Sequence, residues 1–161
     1  MRAAILTLSD SGHAGAREDR SGPLIRALLE AAGYTVVHTA LLPDGREPLA
    51  GELRRLCDGD LADLILTTGG TGFSPRDLTP EATLEVVERP APGIAEALRW
   101  HSFSITPRAM LGRGMAGIRK EALIINLPGS PRAVQECLDF LLPNLEHGLE
   151  VLKGSGGPCA R

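Results

Sequence analysis

Aromatic side chains are scarce: one Trp, one Tyr and three Phe supply 3% of 161 residues. The core must therefore be filled by Leu, Ile, Val and Ala, the aliphatic residues most often found inside. No apolar run approaches the roughly 18 residues that a membrane-spanning helix needs, so no membrane partner is expected. The start of the chain lacks the basic region and cleavage site of a signal peptide and runs straight into Ala3–Leu8. Cysteine is sparse and odd in number: Cys57, Cys137 and Cys159 stand far apart, with no C-x-x-C pair. That count argues against a secreted disulfide framework, and a reducing cytoplasm is the simplest setting. Cys57 and Cys137 fall on apolar helical stripes and read as core residues. His13, His38, His101 and His147 show no ligand spacing, which argues against zinc. The formal charge is −3, and no Lys/Arg stripe with interleaved aromatics is present. Nucleic acid is therefore not expected as a partner.

What is present is ordinary globular composition, 43% hydrophobic and 23% charged, in a length that suits one domain with its own core. That domain is expected over residues 1–153, with 154–161 as a flexible tail. Residues 3–9 read as a buried strand, followed by a polar loop from Asp10 through Asp19. Leu24, Ile25, Leu28, Leu29 and Ala32 repeat at helical spacing, and Gly33 is placed to end that helix. Tyr34 to Leu42 is β-rich, and Pro43-Asp44-Gly45 signals a turn. Leu49, Leu53, Leu56 and Cys57 mark a second helix. Asp63 to Thr68 is the next strand. Thr79-Pro80 reads as an N-cap with proline at the first helical position, opening a helix to about Glu88. Pro90 and Pro92 break it, and Ile94 to His101 marks a short helix. Ala122 to Leu127 reads as a central strand. Ser130-Pro131 repeats the cap signature before a long helix that Pro143 should kink or split.

Strands alternating with helices, and strands apolar on both faces, indicate a three-layer α/β/α domain with a mostly parallel central sheet. Ligands of such sheets gather at the carboxyl ends of the strands. Three polar loops fall there: Ser9-Asp10, Thr68 to Asp77, and Pro128-Gly129-Ser130. They are expected to meet.

The middle loop, Thr67-Thr-Gly69-Gly70-Thr71-Gly72, lacks side chains where a ligand could approach the backbone. No Gly-Lys-Ser/Thr ends it, so it is not a P-loop. Pro75 stands where a dinucleotide fingerprint needs its third glycine. A bare glycine turn remains an alternative. Asp77 is the odd feature. Beside phosphate at ~4 Å, with an effective dielectric near 20, it would be repelled by roughly 4 kcal/mol. A bridging divalent cation resolves the conflict, and Mg²⁺ suits one or two carboxylates plus phosphates. Asp44 reads either as a second such carboxylate or as a turn residue.

Thr67–Thr83, containing Thr-Thr-Gly-Gly-Thr-Gly and Asp77-Leu-Thr-Pro-Glu-Ala-Thr83, resembles the signature of the MogA/MoaB family of molybdenum-cofactor biosynthesis proteins. Leu6–Asp10, Asp19–Gly22, Pro43-Asp44 and Asn126–Pro131 resemble its flanking segments. The resemblance covers roughly residues 3–153. It extends to the G domain of gephyrin-type and related plant fusion proteins, without their second, molybdate-inserting domain. The resemblance implies adenylyl transfer from ATP to the terminal phosphate of molybdopterin, with Mg²⁺ required and pyrophosphate released. It assigns Asp44 and Asp77 to metal binding and catalysis. It assigns Thr68, Gly69, Gly70, Thr71 and Gly72 to the phosphate-contacting loop, and Ser9, Asp10, Pro128, Gly129 and Ser130 to the pocket walls. It further implies a homotrimer that passes its product to a molybdate insertase. Two other readings fit the same residues: a molybdopterin-binding trimer of the MoaB branch with little catalysis, and a nucleotide-binding domain of CinA type.

Overall fold

The computed structural model describes residues 1–155. Its frame is a six-stranded sheet in the order β2-β1-β3-β6-β5-β4. The strands are β1 (Arg2–Leu8), β2 (Thr35–Leu42), β3 (Leu64–Thr68), β4 (Arg89–Pro90), β5 (Ala116–Arg119) and β6 (Ala122–Leu127). The first four in spatial order run parallel, while β5 is antiparallel to both of its neighbours. The mostly parallel sheet is as expected. β5 runs antiparallel to β6 because only a two-residue turn separates them.

The helices are α1 (Asp10–His13), α2 (Ser21–Ala31), α3 (Arg46–Asp58), α4 (Thr79–Val86), α5 (Pro92–Ile105) and α6 (Pro131–Leu152). The period-two alternation of the strands sorts their side chains between two helical layers. Ala3, Ile5, Leu64, Leu66, Leu123 and Ile125 pack with α2, α5 and α6. Ala4, Leu6, Leu8, Ile65 and Ile124 face α3 and α4. β3 and β6 are buried along their whole length, whereas the edge strand β2 is only half covered. Cys57 and Cys137 are buried in the two layers as expected; Cys159 lies outside the described residues, as does most of the expected tail.

Several local expectations are corrected. The polar loop after β1 begins with the one-turn α1, capped by the Ser9 hydroxyl accepting from the Gly12 N–H. Thr79 is the first residue of α4 rather than its cap, and its hydroxyl donates to the Gly69 carbonyl at 2.9 Å. α5 is not short: Pro92 sits in its first turn, where a missing N–H costs nothing, and it runs for 14 residues. A 3₁₀ turn, Pro107–Leu111, follows it. α6 continues through Pro143 as one helix of 22 residues. Ser130 occupies the cap position of α6 without a side-chain capping bond.

Candidate functional site

β2 lies on one side of β1 and β3 on the other, so the chain reverses its direction of sheet growth between β1 and β3. A crevice opens at the carboxyl ends of such a pair. Here it is a cleft of about 690 Å³, and Ser9, Asp19, Thr68, Gly69, Gly129 and Ser130 are among its walls. That volume lies within the range of small-molecule sites.

Direct contacts hold the three loops together. The Thr68 hydroxyl donates to the Pro128 carbonyl at 2.7 Å. The Ser21 hydroxyl, from the start of α2, donates to the Gly129 carbonyl at 2.9 Å. A Cβ on Gly129 would stand 3.3 Å from the Gly69 Cα. Gly69 and Gly70 both have positive φ, 95° and 63°. A Cβ on either would come within 2.4 Å of an oxygen, the Leu8 carbonyl or the Thr79 hydroxyl. The glycines are therefore required by the turn and by its close approach to β1 and α4.

This packing leaves donors unused. Among the described residues, the backbone N–H groups of Gly69, Gly70, Thr71, Gly72, Gly129 and Ser130 donate to no protein acceptor. The Ser130 hydroxyl also makes no hydrogen bond there and is exposed. Backbone N–H groups are strong donors that seek partners, so this end of the sheet is suited to an anion. Arg17 and Arg20 also line the cleft, together with Asp19 and with Glu18, which pairs with Arg20 at 3.5 Å.

The acids lie beside this cradle. Asp10 and Asp44 exchange reciprocal bonds: the Asp10 N–H donates to Asp44 Oδ2 at 2.9 Å, and the Asp44 N–H to Asp10 Oδ1 at 3.0 Å. Arg76 joins them from the glycine-loop side, pairing with Asp10 Oδ2 at 2.6 Å and donating to the Asp44 carbonyl at 3.1 Å. Asp77 is the next residue, and its Oδ2 accepts the Ser74 N–H at 3.0 Å. Asp44 and Asp77 are half-buried, and each keeps one carboxylate oxygen without a donor among the described residues.

Not every expected residue faces this cleft. Thr71 and Pro128 line a second, smaller concavity of about 270 Å³, walled also by Leu98, Arg99 and Cys137. Asp10, Asp44, Gly70, Gly72 and Asp77 line neither hollow. β3 and β6 end between the two hollows, so their loops show one side to each. Asp19 is held firmly: it accepts from the Thr7 hydroxyl and from the Ser21 and Gly22 N–H groups at the start of α2.

A profile of the family described as "Probable molybdopterin binding domain" matches residues 4–147. The chain belongs to this family. It is 38% identical over 153 residues to the molybdopterin adenylyltransferase of Helicobacter pylori strain J99, covering 94% of this chain and 87% of that one. It is 41% identical over 141 residues to the Haemophilus influenzae protein of the same name, covering 86% and 72%. The crystal structure of the molybdopterin biosynthesis enzyme MoaB from Thermus thermophilus superposes with a TM-score of 0.90 at 44% identity, covering 96% of this chain and 98% of that one. A role in molybdenum cofactor biosynthesis follows from this membership.

The magnesium implied by the family resemblance can be tested against the residues present. Among the described residues no three His, Cys, Asp or Glu side chains converge as a metal cage. Magnesium does not require one; it takes one or two carboxylates and completes its shell with substrate phosphates and water. The open oxygens of Asp44 and Asp77 are hard donors of that kind. Among the described residues, no helix is long and apolar enough to cross a membrane.

Sequence reasoning did not single out Arg17 or Arg76, and it gave no role to Arg20 or Asn126, although both lie in segments that carry the resemblance. Asn126 is buried; its amide donates to the Thr67 and Thr83 hydroxyls and its carbonyl accepts the Met115 N–H. It ties β3, β6 and α4 beneath the glycine loop. A single Asn inside an otherwise apolar strand was the available signal, since a buried amide needs partners.

Proposed function

We propose that this chain is a molybdopterin adenylyltransferase, moving the adenylyl group of ATP onto the terminal phosphate of molybdopterin. The observation that carries the reading is the run of unpaired N–H groups at Gly69–Gly72 and Gly129–Ser130, set beside the Asp44 and Asp77 carboxylates. The names of the relatives support it.

The nucleophile needs little activation. A phosphomonoester has a second pKa of about 6 and is largely dianionic near neutral pH. Among the described residues no His or Lys lines the larger cleft. One oxygen of the molybdopterin phosphate forms a bond to the α-phosphorus of ATP. The bond from that phosphorus to the bridging oxygen breaks, and pyrophosphate leaves with the electron pair. The protein's task is alignment and charge balance. The glycine-loop N–H groups and Ser130 hold phosphate oxygens, while Arg17 and Arg20 meet the polyphosphate. Asp44 and Asp77 would hold magnesium, whose charge offsets that of the phosphates.

The chain acts as a homotrimer in this reading, in the cytoplasm, and delivers its product to a molybdate insertase. The exposed apolar residues Trp100, Phe103, Met110 and Leu111 on α5 and the 3₁₀ turn are the candidate subunit contact. Sedimentation of the purified chain checks the assembly: a monomer at micromolar concentration would refute it. For the reaction, protein, molybdopterin, ATP and Mg²⁺ are mixed, and pyrophosphate and adenylyl-molybdopterin are measured. A second reading is a molybdopterin-binding trimer with little catalysis. Binding without product would select it.

A further inference from the structure

Residues 112–118 have no role in the reading above, yet one of them reaches the centre of the site. Arg113 stands between the 3₁₀ turn and β5. Its backbone N–H donates to the Thr71 carbonyl at 3.0 Å. Its side chain fans out over the same segment. Nε donates to the Gly72 carbonyl at 2.7 Å, one terminal nitrogen to the Asp77 carbonyl, and the other to Glu81 Oε1. One residue therefore grips the glycine loop, both ends of the 72–77 turn, and the first turn of α4.

Apart from Arg113, that turn is tied to the rest of the fold through the Arg76 side chain, which pairs with Asp10 and donates to the Asp44 carbonyl; among the described residues nothing else holds the Gly72 and Asp77 carbonyls. Phe73, Ser74, Pro75 and Arg76 are exposed, with Phe73 at 70%, so no apolar burial fixes their position. The local bonds from the Asp77 N–H to the Ser74 carbonyl and from the Ser74 N–H to Asp77 Oδ2 close the turn on itself without anchoring it. The Asp77 carboxylate also lies directly over Gly72, where an added Cβ would stand 2.8 Å from Oδ2. Fixing the Gly72 and Asp77 carbonyls therefore fixes where this carboxylate projects. A guanidinium serves this purpose because its donors form a rigid planar fork that reaches three acceptors at once. The clamp is itself held: Arg99 of α5 donates to the carbonyl of Gly114, the residue after Arg113, at 2.7 Å.

We propose that Arg113 is the positioning residue of the Asp77 turn, holding the carboxylate in its working place without touching substrate. The proposal rests on the reading that Asp77 acts in adenylyl transfer. Its chemistry is geometric. A misplacement of about 1 Å at a reacting centre can lower a rate on the order of 100-fold.

The test uses the full chain with Arg113→Lys, Arg113→Ala and, as reference, Asp77→Asn. Turnover, KM for ATP and for molybdopterin, and the Mg²⁺ concentration giving half-maximal rate are measured, with melting temperature as the check on folding. Arg113→Lys keeps the charge and most of the stem but cannot reach three acceptors. It should lower kcat about 10- to 100-fold, leave both KM values within about threefold, and raise the Mg²⁺ requirement. Arg113→Ala should do at least as much. A lysine variant with native kcat and native Mg²⁺ dependence overturns the proposal. So does a loss seen only in KM, or one that merely follows loss of folded protein in the lysine variant. Asp77→Asn separates the two ideas. If it is fully active, the reading of Asp77 fails; if it is inactive while Arg113→Lys works normally, only the clamp fails.

Discussion

Replacing Gly69 by Ala tests whether the glycine loop is a built cradle or a bare turn. Gly69 has φ of 95°, which an L side chain adopts at a cost of about 1–2 kcal/mol. The new Cβ would stand 2.4 Å from the Leu8 carbonyl oxygen. Ordinary C···O contacts lie at about 3.3 Å or more, so the loop and the end of β1 must separate by nearly 1 Å. Overpacking of this kind costs about 1–3 kcal/mol. The total is on the order of 3 kcal/mol, set against about 5–15 kcal/mol for a whole domain. The strain also reaches the chemistry. Leu8 precedes Ser9 and Asp10, so a shift there displaces the Asp10–Asp44 pair, and a 1 Å error can cost about 100-fold in rate. Gly51→Ala is the control. Gly51 lies within α3, and its added Cβ would meet nothing within 4 Å. That change should raise stability by about 0.5–1 kcal/mol and leave turnover unchanged. Urea unfolding and pyrophosphate release measure both effects. If Gly69→Ala matched the native protein within about 0.5 kcal/mol and in rate, the close approach would carry no weight and the cradle argument would fail.

Three further outcomes are expected. Asp77→Asn, an isosteric change that keeps an acceptor for the Ser74 N–H, should abolish most adenylyl transfer while molybdopterin binding stays measurable; Asp44→Ala should also cripple transfer and, by unpairing the Asp10 N–H, cost about 1 kcal/mol of stability. Near-native turnover of either variant, in folded protein, refutes its role. Burial alone would raise the Asp63 pKa, but hydrogen bonds from Arg2 and Lys153 overcome it and hold the carboxyl at about 2, below its ordinary 3.8. Its stabilising contribution, on the order of 2 kcal/mol, is then present above pH 4 and lost as pH falls through 2; acid unfolding of Asp63→Asn should lack that component. Burial pushes the Cys57 thiol up to about 11 and raises that of Cys137. In a Cys159→Ser background neither thiol should react with a disulfide reagent at pH 8 until urea unfolds the chain, and rapid native labelling would show that these layers open.

The metal and anion parts of the site differ in how far they could be read in advance. Gly69, Gly70 and Gly72 are legible because glycine marks backbone demands directly, and Asp77 stands out as an acid beside an anion cradle. Asp44 gained its meaning only through the family resemblance; in isolation it is a turn residue. Its bonds with Asp10, which span 34 positions, depend on β1 and β2 lying side by side. Thr79 shows a local rule overridden. Its sequence context describes a helix cap, yet the nearby Gly69 carbonyl recruits the hydroxyl.

The sequence by itself determined the alternation of strands and helices, the aliphatic core and the glycine loop, because each is a periodicity or a backbone constraint expressed over a few neighbouring residues. Tertiary structure alone decided that Ser21 would hold Gly129 across 108 positions, that the loops would front two hollows rather than one, and that Arg113 would grip the Asp77 turn. The reason is physical. Most acceptors in these contacts are backbone carbonyls, which every residue carries, so no residue type marks them before the chain brings them together.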